Sequence, residues 1–278
     1  MPDNTGTKRN SGMQRIASLP ALSLVLCTLA ATAQQPGHRP PHRIVDLTHP
    51  FNQRTVYWPT ETGFQLLRGN NGVTEKGYYY AANRFAAAEH GGTHVDAPIH
   101  FYANRQTVAQ IPLQRLVGEA VVVDVSKACA KDRDYQIGVG DLRRWEEQHE
   151  RQLVDVIVLL YTGHGRHWPN RERYLGTAET GPEAVAKLHF PGLAPEAAKW
   201  LVEHRSIKSI GIDTPSIDYG QSQQFNSHVT LFQHNVPAFE NVANLHLLPT
   251  AGATVVALPM KIGEGSGAPL RIIAMLSE

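Results

Sequence analysis

A mixed α/β domain is the fold class the sequence predicts, on three observations. Short runs rich in β-branched and aromatic residues recur from Arg43 to Leu276, a few amphipathic helical stretches lie between them, and no internal repeat or long linker divides the chain. Many strands with interspersed helices exclude an all-β sandwich.

The strand-like runs are Arg43–Thr48, Tyr78–Phe85, Ala120–Ser126, Asp155–Tyr161, Ser209–Ile212, Thr254–Leu258 and Arg271–Leu276. Asp141 can cap a helix over LRRWEEQHERQ. Pro195 opens EAAKWLVEHR, where Ala198, Leu201, Val202 and Arg205 fall at helical spacing. Ser227 can cap a short turn over HVTLFQH, which Pro237 ends.

Ahead of this domain the chain reads as a targeting segment. Residues 1–12 are polar and basic, Ile16 to Ala33 carries no charge, and Ala31-Thr32-Ala33 is a small-x-small cleavage pattern. The expectation is a signal peptide over 1–33, with translation starting at Met1 or Met13. A disordered leader over 34–42 and a single domain over 43–278 follow, exported to the periplasm or beyond. The alternative is a retained anchor, although Pro20, Ser18 and Ser23 make a weak span. No later segment is apolar enough to cross a bilayer. After cleavage Cys129 is the remaining cysteine, so no internal disulfide forms, and such an exported chain relies on core, metal or self-association. A net charge of +1, from 26 basic and 25 acidic residues, gives no electrostatic reason for nucleic-acid binding.

The chemistry concentrates in His90-Gly-Gly-Thr-His94-Val-Asp96-Ala-Pro-Ile-His100. Three imidazoles and a carboxylate sit at offsets 0, 4, 6 and 10, all even, so an extended segment would point them to one side. Gly91, Gly92 and Pro98 argue against a helix. The bland reading is a loop that is His-rich by chance in a chain with 14 His. The phased donors favour a divalent cation held by His90, His94 and Asp96, zinc or, with the carboxylate, manganese. Three ligands leave an open position, as a catalytic site requires. His100 is a general base or acid beside that site, or a further ligand. Thr93 and Glu89 are candidates to orient the imidazoles, and Tyr78, Tyr79 and Tyr80 divide between core and stacking on an aromatic substrate. His49 reads as a structural anchor, and His164 and His167 as loop residues bordering the site, not ligands.

HGGTHVDAPIHF resembles the signature of the cyclase family of metal-dependent hydrolases, which includes bacterial kynurenine formamidase and isatin hydrolase. IVDLTHPF with VYWP, GIDTPSID, and SHVTLFQHNVPAFENVANL resemble further segments of that family, in the same order. The resemblance implies a barrel-like mixed sheet with flanking helices, of the swivelling β/β/α type. It also implies one or two zinc or manganese ions per subunit. His90, His94 and Asp96 would hold the first, Asp96, His228 and Glu240 a second, with His100 as proton donor and acceptor and Trp58 lining the substrate site. Alone, His228 would be an ordinary helix-terminal histidine and Glu240 a solvated charge. The activity implied is hydrolysis of a C–N bond in a cyclic or aryl amide, either isatin-like ring opening or arylformamide cleavage, in a homodimer or higher oligomer. The alternatives are kynurenine formamidase proper, a lactone hydrolase, and a non-catalytic exported metal-binding protein. No nucleophile elbow, phosphate loop or dinucleotide fingerprint competes with these readings.

Overall fold

A computed structural model describes residues 43–276 of the chain; the expected signal peptide and leader lie outside the described residues. The strands are β1 (Arg43–Asp46), β2 (Gln65–Leu67), β3 (Asn71–Val73), β4 (Tyr79–Ala81), β5 (Arg84–Ala86), β6 (His94–Asp96), β7 (Val117–Asp124), β8 (Gln136–Ile137), β9 (Ile157–Tyr161), β10 (Gly192–Leu193), β11 (Ser209–Ile212), β12 (Ala238–Glu240), β13 (Ala253–Pro259) and β14 (Gly267–Leu276). The main sheet runs β1-β14-β13-β7-β9-β11-β12-β6, and β6 also pairs with β14. Seven strands therefore close into a barrel, with β1 added outside on β14.

The pairing follows from the connections. β7, β9, β11 and β12 are mutually parallel, and each crossover carries a helix: Val139–His149, Pro195–His204 and Asn226–Gln233. The remaining pairs are antiparallel. Alternate residues then face two cores. Val122, Leu159, Phe239, Val255, Ile272 and Val95 pack together on the barrel side. Val121, Val158, Leu160 and Ala238 pack against Leu142, Trp145, Leu201 and Phe232 of the helices. Burial on both faces explains why Ala120–Val123 of β7 and Ile157–Leu160 of β9 read as unbroken apolar runs. Gly211 is needed where it stands, since a Cβ there would lie 2.7 Å from Leu159 Cδ2. This closed, helix-flanked mixed sheet is the barrel-like α/β architecture expected from the sequence.

Several local expectations are corrected. Helix Val139–His149 starts at Gly138, and Asp141 sits a turn inside, accepting the Gly138 N–H at 2.9 Å. Ser227 is no cap either: its hydroxyl donates to Leu193 O, and the N–H groups of Ser227 and His228 go instead to Asp218. The run Tyr78–Phe85 is not one strand. It forms parts of two nested ribbons, β2–β5 and β3–β4, separate from the barrel, in which every strand residue is exposed. No helix among the described residues is long and apolar enough to cross a membrane.

Candidate active site

The site lies at the seam where β6 closes the barrel. Val95 faces the barrel core, so His94 and Asp96 face the other way, under the helices. In the antiparallel pairing of β6 with β12, Glu240 stands opposite His94 and the small Ala238 opposite Asp96. One turn into helix Asn226–Gln233, His228 comes down onto the same face. On the other flank Gly267 of β14 is paired with Asp96.

The even spacing of the motif accounts for only part of this convergence. His94 and Asp96 share a face by strand alternation. His90 is brought in by a sharp bend, with φ +158° at Gly91 and +61° at Gly92, and His100 by the helical turn Pro98–His100. A Cβ at Gly92 would stand 2.6 Å from the Phe51 ring, so both conformation and space call for glycine.

All six expected ionisable residues meet here. Asp96 Oδ1 lies 2.7 Å from His90 Nδ1 and 3.1 Å from His94 Nε2. His228 Nε2 lies 3.1 Å from both Asp96 Oδ2 and Glu240 Oε1, and Glu240 Oε2 is 3.5 Å from His94 Nε2. The His100 ring stacks on His90 with centroids 3.7 Å apart. His94, Asp96, His228 and Glu240 are almost fully buried.

His94 and His228 are each oriented from behind. His94 Nδ1 donates to Gly92 O at 2.9 Å, leaving Nε2 buried and turned toward Asp96 and Glu240. Asn241 Nδ2 donates to the same carbonyl and accepts from Tyr174 through Oδ1, holding the Gly92 turn in place. Asp218 Oδ2 lies 2.6 Å from His228 Nδ1. Such outer partners fix tautomer and direction in metal-binding histidines. Two carboxylates buried with three imidazoles whose free nitrogens converge fit a hard-to-borderline divalent cation, and sets drawn from His90, Asp96 and His100 and from His94, Asp96 and Glu240 have donor atoms within 4.8 Å of one another.

The field of the cluster matches that reading. Burial opposes charge on His94, but Asp96 and Glu240 outweigh it and raise it to about 9. Burial likewise opposes charge on Asp96, yet the imidazoles of His90, His94 and His228 hold it well below the usual carboxylate range. Glu240 is raised by its burial and by Asp96. His100 is driven down to about 3, chiefly by burial, and stands neutral at pH 7.

Above the cluster opens a cavity of ≈ 400 Å³ walled by Trp58, Phe101, Phe225, Pro215, Val56 and Tyr57, with Ser216, Asn241 and Glu61 as further polar lining. Trp58 is thus on the wall, its edge against Phe190 and Phe225. Among the described residues no Lys or Arg lines the cavity. Tyr78, Tyr79 and Tyr80, candidates for substrate stacking, lie away from it on the exposed ribbons, while Phe101 and Phe225 take that position. His49 is an anchor, its N–H donating to Thr93 and its ring stacked on Trp168, and His164 bonds Tyr174 O. Asp218, Asn241, Ser266 and Gly267 were missed by sequence reasoning; Asp218 carried a signal as the end of GIDTPSID, and Asn241 as the residue after Glu240 in SHVTLFQHNVPAFENVANL.

The Cyclase family profile matches residues 45–219. An isatin hydrolase of Roseibium aggregatum is 30% identical over 208 residues, covering 72% of this chain and 76% of that protein. A kynurenine formamidase of Bacillus cereus is 28% identical over 233 residues, covering 82% and 95%. Among solved structures, isatin hydrolase A from Labrenzia aggregata bound to benzyl benzoate superposes with a TM-score of 0.76 at 31% identity, covering 85% of this chain and 94% of that one. An isatin hydrolase bound to the product analogue thioisatinate gives 0.75 at 27% identity, covering 85% and 93%. With the barrel, the clustered His/Asp/Glu donors and a profile match over most of the domain in agreement, the chain belongs to the cyclase family of metal-dependent hydrolases.

Proposed function

We propose that this protein hydrolyses the C–N bond of an uncharged aromatic cyclic amide, opening the ring to a carboxylate. His90, His94 and Asp96 would hold one divalent cation, and Asp96, His228 and Glu240 would hold a second; the nitrogen and oxygen donors suit zinc or manganese. When bound, a divalent cation acidifies a water toward neutral pH and polarises a carbonyl oxygen.

The chain's own residues supply the rest. His100, neutral because of its burial, accepts a proton from the attacking water as oxygen bonds to the carbonyl carbon. It then passes that proton to the nitrogen as the C–N bond breaks, leaving a carboxylic acid that ionises and an amine. Trp58, Phe101 and Phe225 hold the aromatic plane and keep bulk water from the reacting carbonyl.

One observation carries the choice of substrate: the cavity wall is aromatic and, among the described residues, holds no Lys or Arg. N-Formylkynurenine brings an α-carboxylate that this wall leaves unpaired, whereas an isatin-like ring is neutral. Loaded with zinc or manganese, the protein is expected to turn over isatin with kcat/KM about tenfold or more above that for N-formylkynurenine. The reverse preference supports kynurenine formamidase proper, and a lactone in the same assay tests ester hydrolysis. Cleavage of none of the three removes the substrate assignment.

The ribbons support a homodimer or higher assembly. Val73, Tyr79 and Phe85 are 74%, 64% and 51% exposed on two-stranded ribbons whose strand residues are all exposed, a marginal arrangement in water without a partner. Sedimentation of the purified protein as a monomer would reject this. The basic start, apolar run and Ala31-Thr32-Ala33 support export with cleavage near Ala33, read out by the N-terminal sequence of secreted material.

A further inference from the structure

We infer that Ser266 and Glu89 set which nitrogen of His90 carries its proton, and thereby aim Nδ1 at the cation; both act through His90 and are positioning residues. This rests on the cation site proposed above.

Ser266 lies at the turn into β14, 176 residues from His90 in sequence, where the barrel closes. Glu89 Oε2 accepts three hydrogen bonds there: from Ser266 N–H at 3.0 Å, from the Ser266 hydroxyl at 2.7 Å and from Gly267 N–H at 3.2 Å. The Ser266 hydroxyl donates to Glu89 Oε2 alongside two backbone N–H groups, so its single proton is committed there. Ser266 Oγ can then only accept from His90, whose Nε2 lies 3.0 Å away. The Nε2 position therefore holds the proton. Nδ1 is left with its lone pair directed at Asp96 Oδ1, 2.7 Å away. Two acceptors that close call for a positive centre shared between them.

The ring has no easy alternative. A Cβ at Gly267 would stand 2.4 Å from His90 Cε1, so backbone presses on one side, and the stacked His100 ring lies 3.7 Å from the His90 centroid. Turning the imidazole over by 180° would set carbon against both Ser266 and Asp96. The closing strand thus contributes two adjacent residues to His90: a glycine that admits the ring, and a serine that fixes its tautomer.

The test compares wild type with Ser266→Ala, Ser266→Thr and Glu89→Gln. Zinc affinity is read by chelator competition and the His90 tautomer by long-range ¹H–¹⁵N correlation of the zinc-loaded protein. Ser266→Ala is expected to weaken zinc binding by about 10–100-fold, Glu89→Gln to weaken it less, and Ser266→Thr, which keeps the hydroxyl, to stay near wild type. The spectrum should show His90 protonated on Nε2. Unchanged affinity in Ser266→Ala, whether or not the cation-free protein unfolds earlier, overturns the assignment and leaves the site reading intact. A His90 protonated on Nδ1 overturns it as well. If wild type binds no divalent cation, the site reading fails first and takes this assignment with it.

Discussion

Replacing Asp218 by Asn keeps the shape of the side chain that stands behind His228 while removing its charge. In the native site Asp218 Oδ2 meets His228 Nδ1 at 2.6 Å and the His228 N–H at 3.2 Å, and Oδ1 accepts the Ser227 N–H at 3.1 Å. An amide in this place can keep the contact to Nδ1 through its oxygen, but its NH₂ then faces the Ser227 N–H. One buried backbone donor loses its partner, costing about 1–3 kcal/mol. For a domain of this size that lowers Tm by roughly 2–12 °C. The loss of charge acts separately on His228, which donates its Nδ1 proton to this carboxylate and is thereby made a better ligand through Nε2. Substituting such an outer partner typically weakens cation binding by about 10–100-fold, equivalent to about 1.4–2.7 kcal/mol. Thermal unfolding of the cation-free protein reads the first effect, and zinc competition at fixed pH reads the second. Should Asp218→Asn unfold earlier yet hold zinc as tightly as wild type, Asp218 would be a helix cap alone and the reasoning about His228 would be wrong.

Other perturbations separate the remaining roles. His100→Ala should lower kcat by about 10²–10⁴ while cation affinity stays near wild type; equal loss of both would make His100 a ligand instead. Gly267→Ala places a methyl 2.4 Å from His90 Cε1 and should weaken cation binding without changing secondary structure, as circular dichroism and zinc titration together would report. The pH dependence follows from His94, raised to about 9 by Asp96 and Glu240 against its burial. Without a cation, His94 is protonated at pH 7. Its contribution to stability is complete below the ordinary value of 6.5 and fades as pH rises through about 9. Cation binding must displace that proton, so affinity should climb with pH and level off above about 9; affinity that falls over this window would contradict the assignment.

The sequence exposed the chemistry better than the means of its assembly. The HGGTH segment stood out because its donors are close in the chain, and strand alternation does account for His94 and Asp96. It does not account for His90 and His100, which arrive through the Gly91–Gly92 bend and a helical turn. Glu240 sits beside His94 because the three-residue β12 pairs with β6, and a strand that short leaves no periodic signal. Local capping rules pointed to Ser227, since they search neighbouring residues, whereas the real cap comes from Asp218 across a loop. Ser266 and Gly267 reach the site only through the β6–β14 closure, a contact no local pattern encodes. Ala120–Val123 of β7 and Ile157–Leu160 of β9 were legible because both their faces are covered and the residue choice is uniformly apolar. Conversely, Tyr78, Tyr79 and Tyr80 look like site residues by composition, and their exposure on the ribbons separates aromatic content from aromatic function.

Anomalous diffraction at the zinc or manganese edge from crystals of the loaded protein tests the central claim most directly. A peak is expected among His90, His94 and Asp96, with a second between Asp96, His228 and Glu240 when two ions bind. A loaded crystal whose anomalous density lies elsewhere, with these five side chains contacting only one another, would contradict the proposed catalytic centre.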